Sequence, residues 1–233
     1  MRLPVLYEDN HLLVVNKPSG WIVQGASPND TSLIVEAAEY LRAKYQKPGK
    51  VYVGVVSRLD RVVTGVLPLA RTSKAAARMS EQFRERSVEK VYWAVVTGEP
   101  SSTNPRLHHW LARDEKRAKT YRCDPSVPGA VEASLVFRIL ESWEHLHLIE
   151  IQLETGRKHQ IRAQLEAVGC PVVGDRKYGS SMTWHDSIAL HCRRISLVHP
   201  TLKSKFSWQA PLPNNWDKLA IPNCDEFDRD AVG

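Results

Sequence analysis

Cysteine is scarce in this 233-residue chain: Cys123, Cys170, Cys192 and Cys224 are the four present, far apart and with no C-x-x-C pair. That spacing excludes a zinc site of the usual Cys/His kind. It also argues against a disulfide framework. The opening MRLPVLYEDN has no apolar core of the secretory type, so the thiols are expected to stay reduced in a cytoplasmic setting. Long hydrophobic runs are missing too. LLVV and VGVV are far too short to cross a bilayer, and no membrane is expected as a partner. Neither an internal repeat nor a low-complexity tract interrupts the chain.

What is present is ample material for a core, at 42% hydrophobic residues, and an excess of 32 Lys and Arg over 26 Asp and Glu. The first predicts a domain that folds alone; the second points to a polyanionic partner. The patterning alternates between two periods. Strands are predicted at 11–17, 51–56, 91–96, 134–140, 146–153, 195–198 and 206–210. Helices are predicted at 31–47, from a cap at Thr72 or Ser73 to about Arg86, and at 158–168 with Ile161, Leu165 and Val168 buried and Gly169 as the stop. The class is α+β. Residues 1–215 are expected to form one domain and 216–233 a loose acidic tail.

Three segments carry chemistry. VSRLDRVVTG (56–65) ends an apolar run with Asp60 between Arg58 and Arg61. A carboxylate so flanked stays ionised and is available as nucleophile or general base, with Arg61 directed to phosphate or to the protein's own acids. ETGRKHQIR (154–162) turns at Thr155-Gly156 and places Arg157, Lys158, His159 and Arg162 in the first turns of a helix. Cations there oppose the helix dipole, so an anion must compensate them. RLHHWLARDEKRAKTYR (106–122) reads as a basic hairpin in which Arg113, Lys116, Arg117 and Lys119 suit a phosphate backbone. His108 and His109 are adjacent on a strand and face opposite ways, so no metal is expected. Arg176, Lys177, Arg193 and Arg194 extend the basic surface.

Taken in order, R-L-D-R-x-x-T-G, K-x-Y-x-A-x-V-x-G, E-T-G-R-x-H-Q-I-R, G-D-x-x-Y-G and A-L-H-x-x-x-I-x-x-x-H-P resemble the pseudouridine synthases of the RluA type over roughly residues 5 to 213. The resemblance implies a pseudouridine synthase fold, with a mixed, largely antiparallel sheet, flanking helices and a central RNA-binding cleft. It implies isomerisation of a uridine in structured ribosomal or transfer RNA, without a cofactor. It assigns Asp60 as the catalytic carboxylate, Arg162 as its partner and Tyr92 as the residue against the uracil face. It also assigns Arg58 to the stack vacated by a flipped base. Three positions depart from the family pattern: Ser57 replaces a common His, Val63-Thr64 replaces Thr-Ser, and Ala163-Gln164 replaces Val-His. No S4-like extension is expected ahead of the pattern, and a monomer is expected.

Two other readings use the same residues. A non-catalytic RNA-binding protein could keep the fold with the altered loop around Asp60. A hydrolase using Asp60 would release free uracil, whereas an isomerase keeps the base attached.

Overall fold

The β-branched runs become strands of a single sheet. The computed structural model describes residues 3–25, 31–103, 105–184 and 187–222, and the expected tail from 223 onward lies outside them. In chain order come β1 (Val5–Glu8), β2 (Leu12–Lys17), α1 (Leu33–Lys44), β3 (Gly54–Val55), β4 (Thr64–Ala70) and α2 (Ser73–Arg84). Then follow β5 (Glu89–Thr97), β6 (Arg106–Asp114), β7 (Lys119–Cys123), β8 (Val131–Trp143), β9 (Leu146–Leu153), α3 (Gln160–Glu166), β10 (Leu190–Val198) and β11 (Lys205–Gln209). The strand order is β1-β2-β4-β10-β5-β9-β8-β6-β7, with β3 beside β4 and β11 beside β10. All these pairs are antiparallel except β4 with β10. The architecture is the α+β, mixed and largely antiparallel sheet that the motifs implied.

The parallel junction sits at the end of the Asp60 segment and explains its T-G. Gly65 has φ +115° and pairs with Cys192, and a Cβ there would lie 2.2 Å from the Cys192 carbonyl oxygen. Only glycine fits so close an approach. Beside it, buried His191 lies opposite Thr64, with Nδ1 2.8 Å from Thr64 Oγ1 and Nε2 3.4 Å from the Ala210 carbonyl oxygen. The Thr64 hydroxyl donates to one ring nitrogen and the other donates to the carbonyl, a neutral tautomer.

Burial pulls the imidazole pKa of His191 from 6.5 down to about 3. Between those values the unfolded chain takes a proton that the folded chain refuses. Stability contributed by this site is therefore present above pH 6.5 and lost as pH falls toward 3. Urea midpoints measured across that window should fall with acidification, and the fall should be shallower in His191→Gln than in the wild type.

Helix α2 starts where predicted, with Thr72 Oγ1 accepting from the Ala75 amide at 3.1 Å. Strand β9 occupies the residues expected. Elsewhere the boundaries move. Helix α1 spans Leu33–Lys44, shorter than the predicted 31–47, and Tyr45 beyond its last turn is 43% exposed. The predicted strand 51–56 pairs only at Gly54 and Val55. Helix α3 begins at Gln160 rather than Lys158 and ends at Glu166, leaving Val168 37% exposed. The predicted tail boundary at 216 falls within a 3-10 turn, Asn214–Leu219, whose Trp216 and Leu219 are buried. An edge contact of Trp216 with His191 fixes that turn to the sheet.

Candidate active site

Asp60 lies in the 56–63 loop between β3 and β4, and local bonds fix this loop from beneath. Its carbonyl accepts from the Val63 amide at 3.1 Å, closing a turn. The Arg61 carbonyl accepts from the Gly20 amide at 2.9 Å and from Lys17 Nζ at 3.2 Å. Lys17, fully buried at the end of β2, also donates to the carbonyls of Pro18 at 2.9 Å and Trp21 at 3.0 Å. Three acceptors match the three protons of an ammonium. Burial pulls its pKa down to about 7, opposed by the charge of Asp60. Sequence reasoning missed Lys17, because an N-K-P at a strand end reads as an ordinary turn. Lys17→Met would leave the Pro18 and Trp21 carbonyls without this donor and the Arg61 carbonyl with the Gly20 amide alone, and should cost about 2–4 kcal/mol, or roughly 5–15 °C in Tm, in a thermal melt.

The sequence motif of 154–162 does not place its cations on a helix. Arg157, Lys158 and His159 precede α3, and His159 is its left-handed N-cap at φ 54°. Arg162 alone is helical. Its Nη1 donates to Asp60 Oδ2 at 3.1 Å, while Nε and Nη2 donate to the two oxygens of buried Asp175 at 2.6 and 2.8 Å. The anion that must compensate this basic stretch is therefore supplied within the chain, and Glu166 is instead taken by Lys119 at 3.2 Å. Asp175 belongs to the G-D-x-x-Y-G motif, whose Tyr178 lies under the guanidinium at 4.7 Å from ring centroid to Cζ.

A second set of contacts leads toward Asp60 through His159. The Tyr178 hydroxyl oxygen accepts from the Thr120 amide at 2.9 Å and sits 2.8 Å from His159 Nδ1. Burial lowers the His159 pKa to about 4, against the pull of Asp60, so the ring is neutral at pH 7. With Nδ1 accepting from Tyr178, the proton is on Nε2, which points at Asp60 Oδ2 from 3.7 Å.

Tyr92 is buried on β5, and burial raises its phenol well above the usual 10, with Cys192 and Asp60 adding to the effect. It stays protonated at any physiological pH. Tyr92, Asp60, His159 and Arg162 line one cleft of about 1000 Å³. Among the described residues nine cationic side chains line it: Arg58, Arg61, Arg157, Lys158, Arg162 and Lys177 from the motifs, and Arg84, Arg86 and Lys90, which sequence reasoning passed over. Against these, among the same residues, stand two carboxylates, Asp60 and Glu154.

The hairpin is built as expected by β6 and β7, but its cations are largely matched. Arg113 bonds Glu115 at 2.8 Å, Arg117 lies 3.7 Å from Asp114 and Lys119 holds Glu166. Lys116 is exposed at its tip. Arg193, expected at the surface, is instead buried, bonded to the Ala210 carbonyl and stacked 4.9 Å over Trp93. Among the departures, Gln164 finds backbone acceptors for its amide nitrogen. Gln164 Nε2 donates to the carbonyls of Leu107 and Ala133 at 3.0 and 3.1 Å, tying α3 to β6 and β8. Among the described residues no group of three or more His, Cys, Asp or Glu is placed to hold a metal ion. No described helix is long and apolar enough to cross a membrane.

Comparison with known proteins agrees over most of the chain. Residues 11–167 match the family model described as RNA pseudouridylate synthase. An RNA pseudouridine synthase of Synechocystis is 31% identical over 223 residues, covering 94% of this chain and 68% of that one. Ribosomal large subunit pseudouridine synthase D of Zymomonas mobilis is 32% identical over 228 residues, covering 93% of this chain and 71% of its own. Among solved structures, human RNA pseudouridylate synthase domain containing 4 superimposes with a TM-score of 0.77 at 24% identity, over 94% of this chain and 93% of that one.

Proposed function

The chain belongs to the RNA pseudouridylate synthase family, an isomerase family, and on that premise we propose that it isomerises one uridine of ribosomal RNA with Asp60 as the catalytic carboxylate. The observation that carries this reading is the clamp: Asp60 accepts from Arg162 at 3.1 Å at the side of a strongly cationic cleft, and Asp175 holds that arginine from behind. The ribosomal target is suggested by relatives named for the large ribosomal subunit.

The chemistry asks little else of the protein. The bond from N1 of uracil to C1′ of the ribose breaks, the base turns, and C5 bonds to C1′. N1 takes up a proton and C5 gives one to solvent, so the product has the composition of the substrate. Asp60 serves at C1′ or at the base as nucleophile or stabiliser of the cationic sugar, and its fixed neighbours suit that role. Tyr92, held protonated by its burial, serves as a platform for the ring rather than as a base. Neutral His159 offers an N–H beside Asp60 and draws no counter-charge from it.

The base must leave its stack before a carboxylate can reach its sugar. Arg58 is exposed at the cleft, with no hydrogen-bond or ion-pair partner among the described residues. A guanidinium that both stacks and donates is suited to fill the gap. Arg157, Lys158, Arg61 and Lys177 then face the phosphates, and the hairpin of Arg113, Lys116, Arg117 and Lys119 contributes less than its sequence charge implies. The reading is of a monomer acting without cofactor or metal.

The test is tritium release from ribosomal RNA transcripts labelled at C5 of uridine, with pseudouridine mapped in cells that have and lack the protein. Release with the base retained in the chain supports isomerisation. Free uracil would mark a hydrolase, and no release from any RNA would favour the non-catalytic alternative.

A further inference from the structure

We infer that Lys90, with Arg86 near it in the cleft, forms a subsite for a single backbone phosphate flanking the reacting uridine; this deepens the proposed function and rests on it. Lys90 precedes Tyr92 by two positions on β5, so both side chains leave the same face of the strand, roughly 6.6 Å apart along it. Both line the cleft. A base seated on Tyr92 thus has its own sugar-phosphate chain within reach of Lys90.

Among the described residues nothing matches the charge on Lys90. The side chain is only partly exposed, yet it has no hydrogen-bond or ion-pair partner among the described residues. The neighbouring acids are committed elsewhere. Glu89 bonds Lys205 at 2.6 Å, Glu154 bonds Arg106 at 2.6 Å, and Glu132 bonds His108 at 2.6 Å. Nζ lies over Gly156, where an added Cβ would be 3.6 Å away. Burial lowers the Lys90 pKa and Arg86 lowers it further, so an incoming anion relieves a cost already present. An ammonium is a compact point charge, suited to one phosphate oxygen. A uracil carbonyl would leave that charge uncompensated.

The experiment is a salt series of affinity for an unlabelled ribosomal RNA transcript, using the full chain. Lys90→Gln should lower the log–log slope by about 0.7–0.9, the share of one phosphate, and Lys90→Arg should retain it. An unchanged slope with unchanged affinity overturns the subsite. Weaker binding with an unchanged slope also overturns it, by assigning Lys90 to a base carbonyl. If the glutamine variant does not fold, Arg86→Gln at its exposed position reads the same loss of slope. Wild-type protein that binds with the full slope but releases no tritium counts against isomerisation of that RNA, and leaves the comparison of slopes decisive for the subsite.

Discussion

Asp60→Asn should abolish tritium release, with a loss on the order of a thousandfold or more, while the protein folds and binds RNA as before. The amide keeps the shape of the carboxylate but neither its charge nor its nucleophilicity. The fold survives because Arg162 remains held by both oxygens of Asp175. RNA affinity should be equal or slightly tighter, since a negative charge has left a cationic cleft. Single-turnover release on a mapped target transcript, beside a binding isotherm, measures both quantities. Near-normal release from Asp60→Asn would remove Asp60 from the chemistry. It would turn attention to Glu154, the other carboxylate among the described cleft residues, which is already engaged by Arg106.

Arg162→Ala should be equally damaging to turnover and, unlike the first change, damaging to stability. Arg162 and Asp175 are both buried, and removing one partner of such a pair leaves the other charge uncompensated at a cost of about 3–5 kcal/mol. Two effects are therefore mixed in one variant. Combining Arg162→Ala with Asp175→Ala separates them: the second change removes the stranded carboxylate, so urea stability should recover in part while activity stays lost, because Asp60 still lacks its donor. Adding Asp60→Asn to Arg162→Ala should cost little further activity, as expected of groups that act as a unit. Recovery of turnover in the Arg162→Ala, Asp175→Ala variant would show that the guanidinium is a structural brace with no bearing on Asp60.

The two changes differ because of where their groups sit. Asp60 is on a loop facing the cleft and is tied to the core through backbone atoms, by way of Lys17, Gly20 and Val63. Arg162 is one of six consecutive buried residues of α3, Gln160 to Leu165, and its charge is tolerated only because Asp175 meets it there. Activity and stability should therefore separate at Asp60 and combine at Arg162.

The sequence by itself determined most of the strands, though neither β1 nor β4, the α2 cap at Thr72, the extent of β9 and the order of the motifs, because each of these is local. Side-chain period, a capping hydroxyl and a short run of charged residues act within a few positions of one another, and a chain can be read at that range. It also singled out Asp60, Tyr92 and the ETGRKHQIR segment, which the fold brings to one cleft. Tertiary structure alone decided the charge partners. Arg162 finds Asp60 and Asp175, respectively 102 and 13 positions away, in preference to Glu166 in the next helical turn. Arg193 turns inward onto Trp93, Lys17 collects three carbonyls, and Arg113, Arg117 and Lys119 of the hairpin meet Glu115, Asp114 and Glu166. A charge in sequence states only that a partner is required; which one it meets depends on the sheet order that brings distant strands together and on the low dielectric that makes an unpaired choice too costly.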